Sequence, residues 1–251
     1  MSEDDVVRAP HAPLTEYYRT EQERPAWLRQ MFDSTAPDYN LIEKILGLGT
    51  GPWYRRQALV RAGLQPGMNI VDVGTGTGLV AAQAAAIVGS SGAVTGVDPS
   101  AGMLQNARVP AAVKLVEGSA ENIPFPDNSF DFLSMGYALR HIGDLSRAFA
   151  EFRRVLKPGG RLCILEITTP QSKVQKALLK IYIRGVVPAV ARLIVRNGDT
   201  SVLWRYYWDS IEACAPPADV LRTLSAAGLT NANRFVTLGM FSEYRASKSA
   251  I

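Results

Sequence analysis

VDVGTGTG, residues 71–78, is an apolar-alternating run that ends in three alternate glycines, Gly74, Gly76 and Gly78. An alanine-rich segment, LVAAQAAAIV (79–88), follows at once. The combination reads as a buried strand (69–74), a tight turn and a helix. Working outward, AVTGVD (93–98), VKLVEG (113–118), FDFLSMG (130–136) and GRLCILEI (160–167) read as further strands. AGMLQNAR (101–108) and LSRAFAEFRRVL (145–156) read as helices between them. This βαβα order implies an α/β protein with a mostly parallel sheet and helices on both faces. Residues 168–215 interrupt it with an apolar, aromatic and basic segment that has no strand pattern. Placed after the fifth strand, that segment is expected to fold over the carboxyl ends of the strands, where open α/β sheets bind ligands. A helix at 216–229 and closing strands near 232–239 and 241–248 bring the strands to seven.

Upstream, Trp27, Leu28, Met31 and Phe32, then Tyr39, Leu41, Ile42, Ile45 and Leu46, recur at helix spacing. Pro37 and the GLGTGP run are expected to break this region into pieces. Residues 1–24 are polar, carry two prolines and are expected to lie loose on the surface. The expected organisation is a flexible N-terminal segment (1–24) and one domain (25–251), with N-terminal helices at 25–64 and a helical cap insertion at 168–215.

The glycines let the backbone turn sharply and approach a ligand closely, and the helix behind them offers free N-terminal amides. A dinucleotide, S-adenosylmethionine (SAM) and a purely structural turn all fit that description. The dinucleotide fingerprint G-x-G-x-x-G/A is matched from Gly76 to Ala81, but fails at Leu79 when read from Gly74. Asp72, inside the strand, has no role toward a pyrophosphate; it can order the loop or face the cationic methionine end of SAM. Asp98 ends the second strand, where a carboxylate can accept both ribose hydroxyls of an adenosine. Ser119 and Ala120 end the third strand, where a hydroxyl and an amide can read an adenine edge.

The formal charge is +4 over 251 residues. That is a mild excess, without the dense basic patch of a nucleic-acid binder, so no nucleic-acid partner is expected. It suits an acidic small ligand or an anionic membrane surface. Cys163 and Cys214 show no CxxC spacing and no histidine cluster, so no metal site is expected and a reduced, cytoplasmic setting is the default. The acidic MSEDDVV start carries no apolar core, so no secretory signal is expected. The longest apolar stretch (185–195) is too short to span a bilayer and contains Arg192.

Several stretches together resemble one family. They are FDSTAPDYNLIEKILGLGTGPWYRR (32–56), VDVGTGTG (71–78), VDPSAGML (97–104), SAENIPFPDNSFD (119–131), YALRHI (137–142), RVLKPGGRLCILEIT (154–168) and the tail at 197–229. In these the chain resembles the UbiE-type ubiquinone/menaquinone biosynthesis C-methyltransferases, which are class I SAM-dependent enzymes. The resemblance implies a Rossmann-like class I methyltransferase fold with a seven-stranded sheet and a helical cap. It implies SAM as cofactor, with S-adenosylhomocysteine as product, and a quinol-type ring as acceptor (demethylmenaquinol or a ubiquinol precursor). It places Gly74, Gly76, Thr77, Asp98, Ser119, Ala120 and Gly136 at SAM, and the expected cofactor set adds Asp72, Thr75, Pro99 and Met103. The chain also departs from the family pattern. The usual F-G-L-R-N is Tyr137-Ala138-Leu139-Arg140-His141, the usual E-F-S is Glu166-Ile167-Thr168, Gly136 stands where serine is usual, and the histidine before Trp53 is missing.

A quinol carbon becomes nucleophilic when a neighbouring hydroxyl loses its proton. A phenol pKa of about 10 against about 6.5 for histidine puts roughly 5 kcal/mol against unassisted transfer. A cation must therefore help. Arg140 and His141 follow the fourth strand at its carboxyl end, and are expected to act as oxyanion stabiliser and proton acceptor. The competing reading pairs Arg140 with a carboxylate and leaves His141 as a helix cap near Asp144. His11 is expected to be uninvolved. Tyr39, Trp53, Tyr137, Tyr182 and Tyr206 are the expected ring-positioning residues, with Tyr207 and Trp208 as further candidates and core packing as the alternative for each.

Residues 173–196 mix apolar side chains with Lys173, Lys176, Lys180, Arg184, Arg192 and Arg196, and Pro188 is expected to divide them into two helices. They read as a packed cap, or as a lid that touches membrane and admits a prenyl tail. A homodimer through the apolar, aromatic tail segment is a further expectation. The alternatives to ring C-methylation are O- or N-methylation of a secondary metabolite, and a catalytically silent SAM-binding scaffold.

Overall fold

The computed structural model describes residues 9–195 and 198–250. Its sheet grows from β1 (Asn69–Val73), where alternation decides which layer each side chain meets. Val71 and Val73 pack on one face with α5 (Leu145–Val155) and α9 (Pro217–Ala226). Ile70 packs on the other face with α2 (Gly51–Arg61) and α3 (Leu79–Val88). β2 (Ala93–Asp98), β3 (Lys114–Glu117), β4 (Phe130–Gly136) and β5 (Leu156–Ile167) continue the parallel sheet, with the short α4 (Ala101–Gln105) between β2 and β3.

With β6 (Leu229–Thr237) and β7 (Phe241–Lys248) the sheet has seven strands in the order β3-β2-β1-β4-β5-β7-β6. β7 is antiparallel to both neighbours. Its short link to β6 places Leu238 and Gly239 at φ +53° and +71°, and the Met240 amide donates to the Thr237 carbonyl. That is the geometry of a two-residue hairpin, which can only join antiparallel strands. Strand order reverses between β1 and β4, so the crevice of the switch point opens above the glycine turn.

α5 illustrates how the pattern becomes structure. Leu145, Ala148, Phe149, Phe152 and Val155 recur at helix spacing and are all fully buried, while Arg147 and Arg153 face solvent. Each large side chain so buried contributes about 1.5–3 kcal/mol. Asp144 caps the helix, its carboxylate accepting the Arg147 amide at 3.0 Å.

Four expectations need correction. Pro37 does not break α1, which runs unbroken over Arg24–Leu46. The proline costs about 3 kcal/mol, and burial of Leu28, Met31, Ala36 and Ile42 against α4 and α8 (Gly198–Ala213) offsets it. The GLGTGP run does end α1, through Leu48 and Gly49 at positive φ.

Pro188 divides nothing either. α6 (Lys173–Lys180) continues through a π-helical turn (Ile181–Val186) into α7 (Val187–Ile194), and the wider turn absorbs the donor that proline lacks. The aromatic tail segment is core rather than exposed surface: Trp204, Tyr206, Tyr207 and Trp208 of α8 are buried, which removes the basis for the dimer expectation.

Finally, residues 9–23 are not loose. Tyr18 is buried in a cluster with Leu28, Met31, Leu203 and Tyr206, Tyr17 donates to Asp209 at 2.6 Å, and the Ala215 amide bonds the Pro10 carbonyl. Residues 1–8 of that expected segment lie outside the described residues.

Candidate active site

Gly74 and Gly76 hold φ of +67° and +55°, a region that side chains with a Cβ rarely adopt. A Cβ on Gly76 would meet nothing within 4 Å, so the loop presents bare backbone to open space. Asp98 braces that loop from β2. Its Oδ2 accepts the Gly76 amide at 2.7 Å and its Oδ1 the Ser100 amide at 2.9 Å. Burial pushes the Asp98 carboxyl up to about 6, against the pull of those two donors.

Asp72 lies beneath. It is fully buried, accepting the Ser134 hydroxyl at 2.6 Å and the Thr75 hydroxyl at 2.7 Å, and burial pushes it up to about 6. It does not line the cavity. Of its two expected roles, it has the ordering of the loop.

A cavity of about 560 Å³ opens over these groups. Gly74, Thr75, Gly76 and Thr77 form its floor with Asp98, Pro99 and Met103. Ser119, Ala120 and Gly136 complete the cofactor side. Gly136 contributes backbone alone, because a Cβ there would sit 2.5 Å from Val80 Cγ2. The fit to SAM is a matter of donors and space: a bare glycine turn, a buried carboxylate at the end of β2, and room above both.

The opposite wall is α1. Its Asn40 accepts the Thr77 hydroxyl at 2.5 Å, and Asp33 accepts the Ser100 hydroxyl and the Gly102 amide at 2.5 and 2.8 Å. The same helix turns Leu28, Phe32 and Tyr39 into the cavity. Tyr137 and His141 join them from the end of β4. No described residue of the 168–215 cap lines the cavity; α1 packs against α8 and presents Leu28, Phe32 and Tyr39 to the cavity instead.

The remaining expected residues fall elsewhere. Trp53 is 66 % exposed on α2, away from the cavity. Tyr182 packs against the apolar cluster of the cap. Tyr206 lies buried behind His141, with its hydroxyl 3.4 Å from the ring Nδ1. Arg140 is fully buried outside the cavity, its guanidinium bonded to Glu166, its Nε donating to Ser210 at 3.1 Å and its charge 4.0 Å above the Tyr207 ring. Burial opposes that charge most strongly, but Glu166 and Tyr207 together outweigh it, so the group titrates above the usual arginine range. Arg140 therefore takes the competing role, pairing with a carboxylate. Burial, with the nearby Arg140 and Arg24 charges, holds His141 well below the ordinary histidine range, so it is neutral and a weak base.

Reading the residues one at a time missed Asp33, Asn40, Arg24 and Arg55. Asp33 and Asn40 are seven apart, on one helix face; Arg24 precedes Leu28 and Phe32 in a stripe spaced by four.

His11, expected to be uninvolved, fastens the N-terminal strap formed by residues 9–23. The ring, assigned here as neutral with the proton on Nδ1, donates to the Ala12 carbonyl at 2.8 Å and accepts from Arg24 Nη2 at 3.2 Å through Nε2. Arg24 also donates to the Arg140 carbonyl at 2.5 Å. Burial, then the Arg24 charge, lowers the His11 pKa. The unfolded chain thus takes up this proton first as pH falls below about 6.5. The stability His11 supplies is complete above that pH and lost toward its lower folded value. The melting-temperature advantage of wild type over His11→Gln is expected to shrink between pH 8 and 5. A gap independent of pH would show that the ring does not titrate in the fold. Asp72 and Asp98, which act with the opposite sign, are common to both proteins and cancel.

The sequence profile of the ubiE/COQ5 methyltransferase family matches residues 19–248. The chain belongs to that family. It is 32 % identical to the ubiquinone/menaquinone biosynthesis C-methyltransferase UbiE of Shewanella pealeana, over 83 % of this chain and 84 % of the relative. It is 36 % identical to the demethylmenaquinone methyltransferase of Chlorobaculum tepidum, over 83 % and 86 %. A crystal structure of a SAM-dependent methyltransferase from Aquifex aeolicus shares the fold, with a TM-score of 0.59 at 20 % identity over 83 % of this chain and 97 % of that one. This ubiE/COQ5 family member is thus a SAM-dependent methyltransferase with the class I Rossmann-like fold.

Proposed function

We propose that the protein methylates a ring carbon of a quinol-type acceptor of the demethylmenaquinol or ubiquinol-precursor class. The observation that carries this reading is the wall facing the glycine turn, which is aromatic: Phe32, Tyr39, Tyr137 and His141 all line it. Phe32 meets His141 edge-on at 5.2 Å, and Tyr39 is stacked on Trp204 at 5.9 Å, so the wall is fixed before a flat ring arrives. The relatives, C-methyltransferases of ubiquinone and menaquinone biosynthesis and a demethylmenaquinone methyltransferase, support the same acceptor class.

SAM, when bound, supplies an electrophilic methyl group. Gly74, Gly76 and Thr77 would cradle its methionine part, Asp98 its ribose, and Ser119 and Ala120 its adenine. The chain's other tasks are to hold the acceptor ring, keep water out and favour the anionic form of its hydroxyl. Burial raises the phenols of Tyr39 and Tyr137, so both stay protonated as donors.

Membrane contact belongs to the same proposal. The run from α6 to α7 exposes Val174, Leu178, Ile181, Val186, Leu193 and Ile194. Lys176 and Lys180 are tied to Glu212, and Arg184 to Asp209, which leaves Lys173 and Arg192 to face anionic headgroups. Arg196 lies outside the described residues. No helix among the described residues is long and apolar enough to cross a membrane.

SAM with an isotopically labelled methyl group, given with reduced demethylated quinones of short and long tail, is expected to place label on a ring carbon. Label on oxygen or nitrogen would replace this reading with an O- or N-methyltransferase. SAM binding with no label on any acceptor would leave a silent scaffold.

A further inference from the structure

We propose that Arg55, which lines the cavity together with Tyr39 and Tyr137, is the oxyanion-binding corner of the acceptor pocket. The inference deepens the function proposed above and rests on it for the identity of the acceptor.

Acidifying a phenol needs a cation at the cavity, and Arg140 is outside it and committed to Glu166. Four other arginines line the cavity. Arg24 has both Nη groups engaged, by Glu21, His11 and the Arg140 carbonyl, which leaves only its Nε without a partner. Arg29 and Arg147 are exposed, where water screens them, and Arg147 already bonds the Glu121 carbonyl.

Arg55 differs from all three. It is 3 % exposed, and only its Nη2 is occupied, by Glu43 at 2.5 Å. Its Nε and Nη1 are buried with no partner. Buried donors left unmade are costly, and an anionic ligand oxygen is the partner they fit best.

The surroundings agree. Tyr137 lies beside the guanidinium, its ring centroid 5.5 Å from Arg55 Cζ. Its backbone sits at φ +61°, a conformation a bulky side chain keeps only when the surrounding structure enforces it. The structure thus turns this ring into the cavity against local preference. Neither the Tyr39 nor the Tyr137 hydroxyl makes a hydrogen bond among the described residues, so both remain available as donors. Glu43 fixes the guanidinium, and Gly51 gives it room: a Cβ at Gly51 would lie 2.5 Å from Nη1. In use, the acceptor O–H bond breaks, the proton passes to water at the cavity mouth, and the electron pair stays on the oxygen. There the guanidinium and the two phenols hold it.

The test uses 4-nitrophenol, whose absorbance reports its ionisation. Bound to the wild-type protein it is expected to ionise at a pH about one unit below its free value, and in Arg55→Met that shift is lost. With a demethylated quinol, Arg55→Met is expected to lose about 10²-fold in kcat while SAM affinity changes by less than about twofold. Arg55→Lys keeps the charge without the fork, and Tyr137→Phe removes one donor; if Arg55→Met does not fold, these two carry the same comparison with smaller losses. Dye ionisation equal in wild type and variants, or turnover within about threefold, overturns the corner even if quinols are methylated. Arg55-dependent acidification of the dye without turnover of any quinol leaves the corner standing and removes the quinol reading.

Discussion

Asp98→Asn is expected to weaken SAM binding by about 10²–10⁴-fold, because each charge-assisted hydrogen bond is worth about 1.5–3 kcal/mol and the proposed role gives this carboxylate two ribose hydroxyls to hold. Asp98 already takes the Gly76 and Ser100 amides, one on each oxygen, and keeps further lone pairs for a ligand. Asparagine has one acceptor oxygen, so its amide nitrogen must oppose one of those N–H groups, and the loop loses its brace as well as its charge. A second signature follows from burial, which pushes the wild-type carboxyl up to about 6. Ribose hydroxyls prefer the ionised form, so SAM affinity is complete above that pH and falls as pH drops through it. Calorimetric titrations from pH 8 to 5 are expected to show that fall in wild type and a flatter, weak response in Asp98→Asn. Equal affinity in the two proteins at pH 8 would remove Asp98 from the ribose site.

The contrast between Asp98 and Arg140 shows what the sequence makes legible. Asp98 is local: strand, carboxylate and glycine turn lie within one βαβ unit, and short-range rules place them. The seven strands and the helices on both faces follow from the same local periodicity. Arg140 is the opposite case. Its position after β4 puts it at the correct edge of the sheet, but its fate depends on Glu166, 26 residues away, and on Tyr207 and Ser210 in the cap. A charge near a site and a charge in a site look alike until the partner is known. The N-terminal strap fails to show itself for a related reason. A polar segment with prolines reads as loose, and only the carbonyl of Ala12 and the guanidinium of Arg24 give His11 a buried place. Trp53 is expected at the acceptor ring as an aromatic candidate, but the helix that carries it turns it to solvent while turning Arg55, two residues on, inward.

Arg140→Met is therefore expected to destabilise the fold rather than disable its chemistry. Arg140 and Glu166 are both fully buried, and removing one partner of such a pair leaves an uncompensated charge, at a cost of about 3–5 kcal/mol. For a chain of this size that lowers the melting temperature by roughly 6–20 °C. The lost contacts with Ser210 and the Tyr207 ring also loosen α8 against β5. A buried ion pair replaced as a whole by apolar groups is often neutral or better, so Arg140→Met/Glu166→Leu is expected to recover most of the loss. The pair of variants separates the two roles by calorimetric melting and turnover together. If the double variant melts near wild type and still methylates its acceptor, Arg140 serves the fold alone. If the single variant melts like wild type but has lost turnover, the guanidinium reaches the reaction and its pairing with Glu166 is not what holds the cap. The first outcome is expected, because Arg140 has no atom on the cavity wall and its charge is already answered.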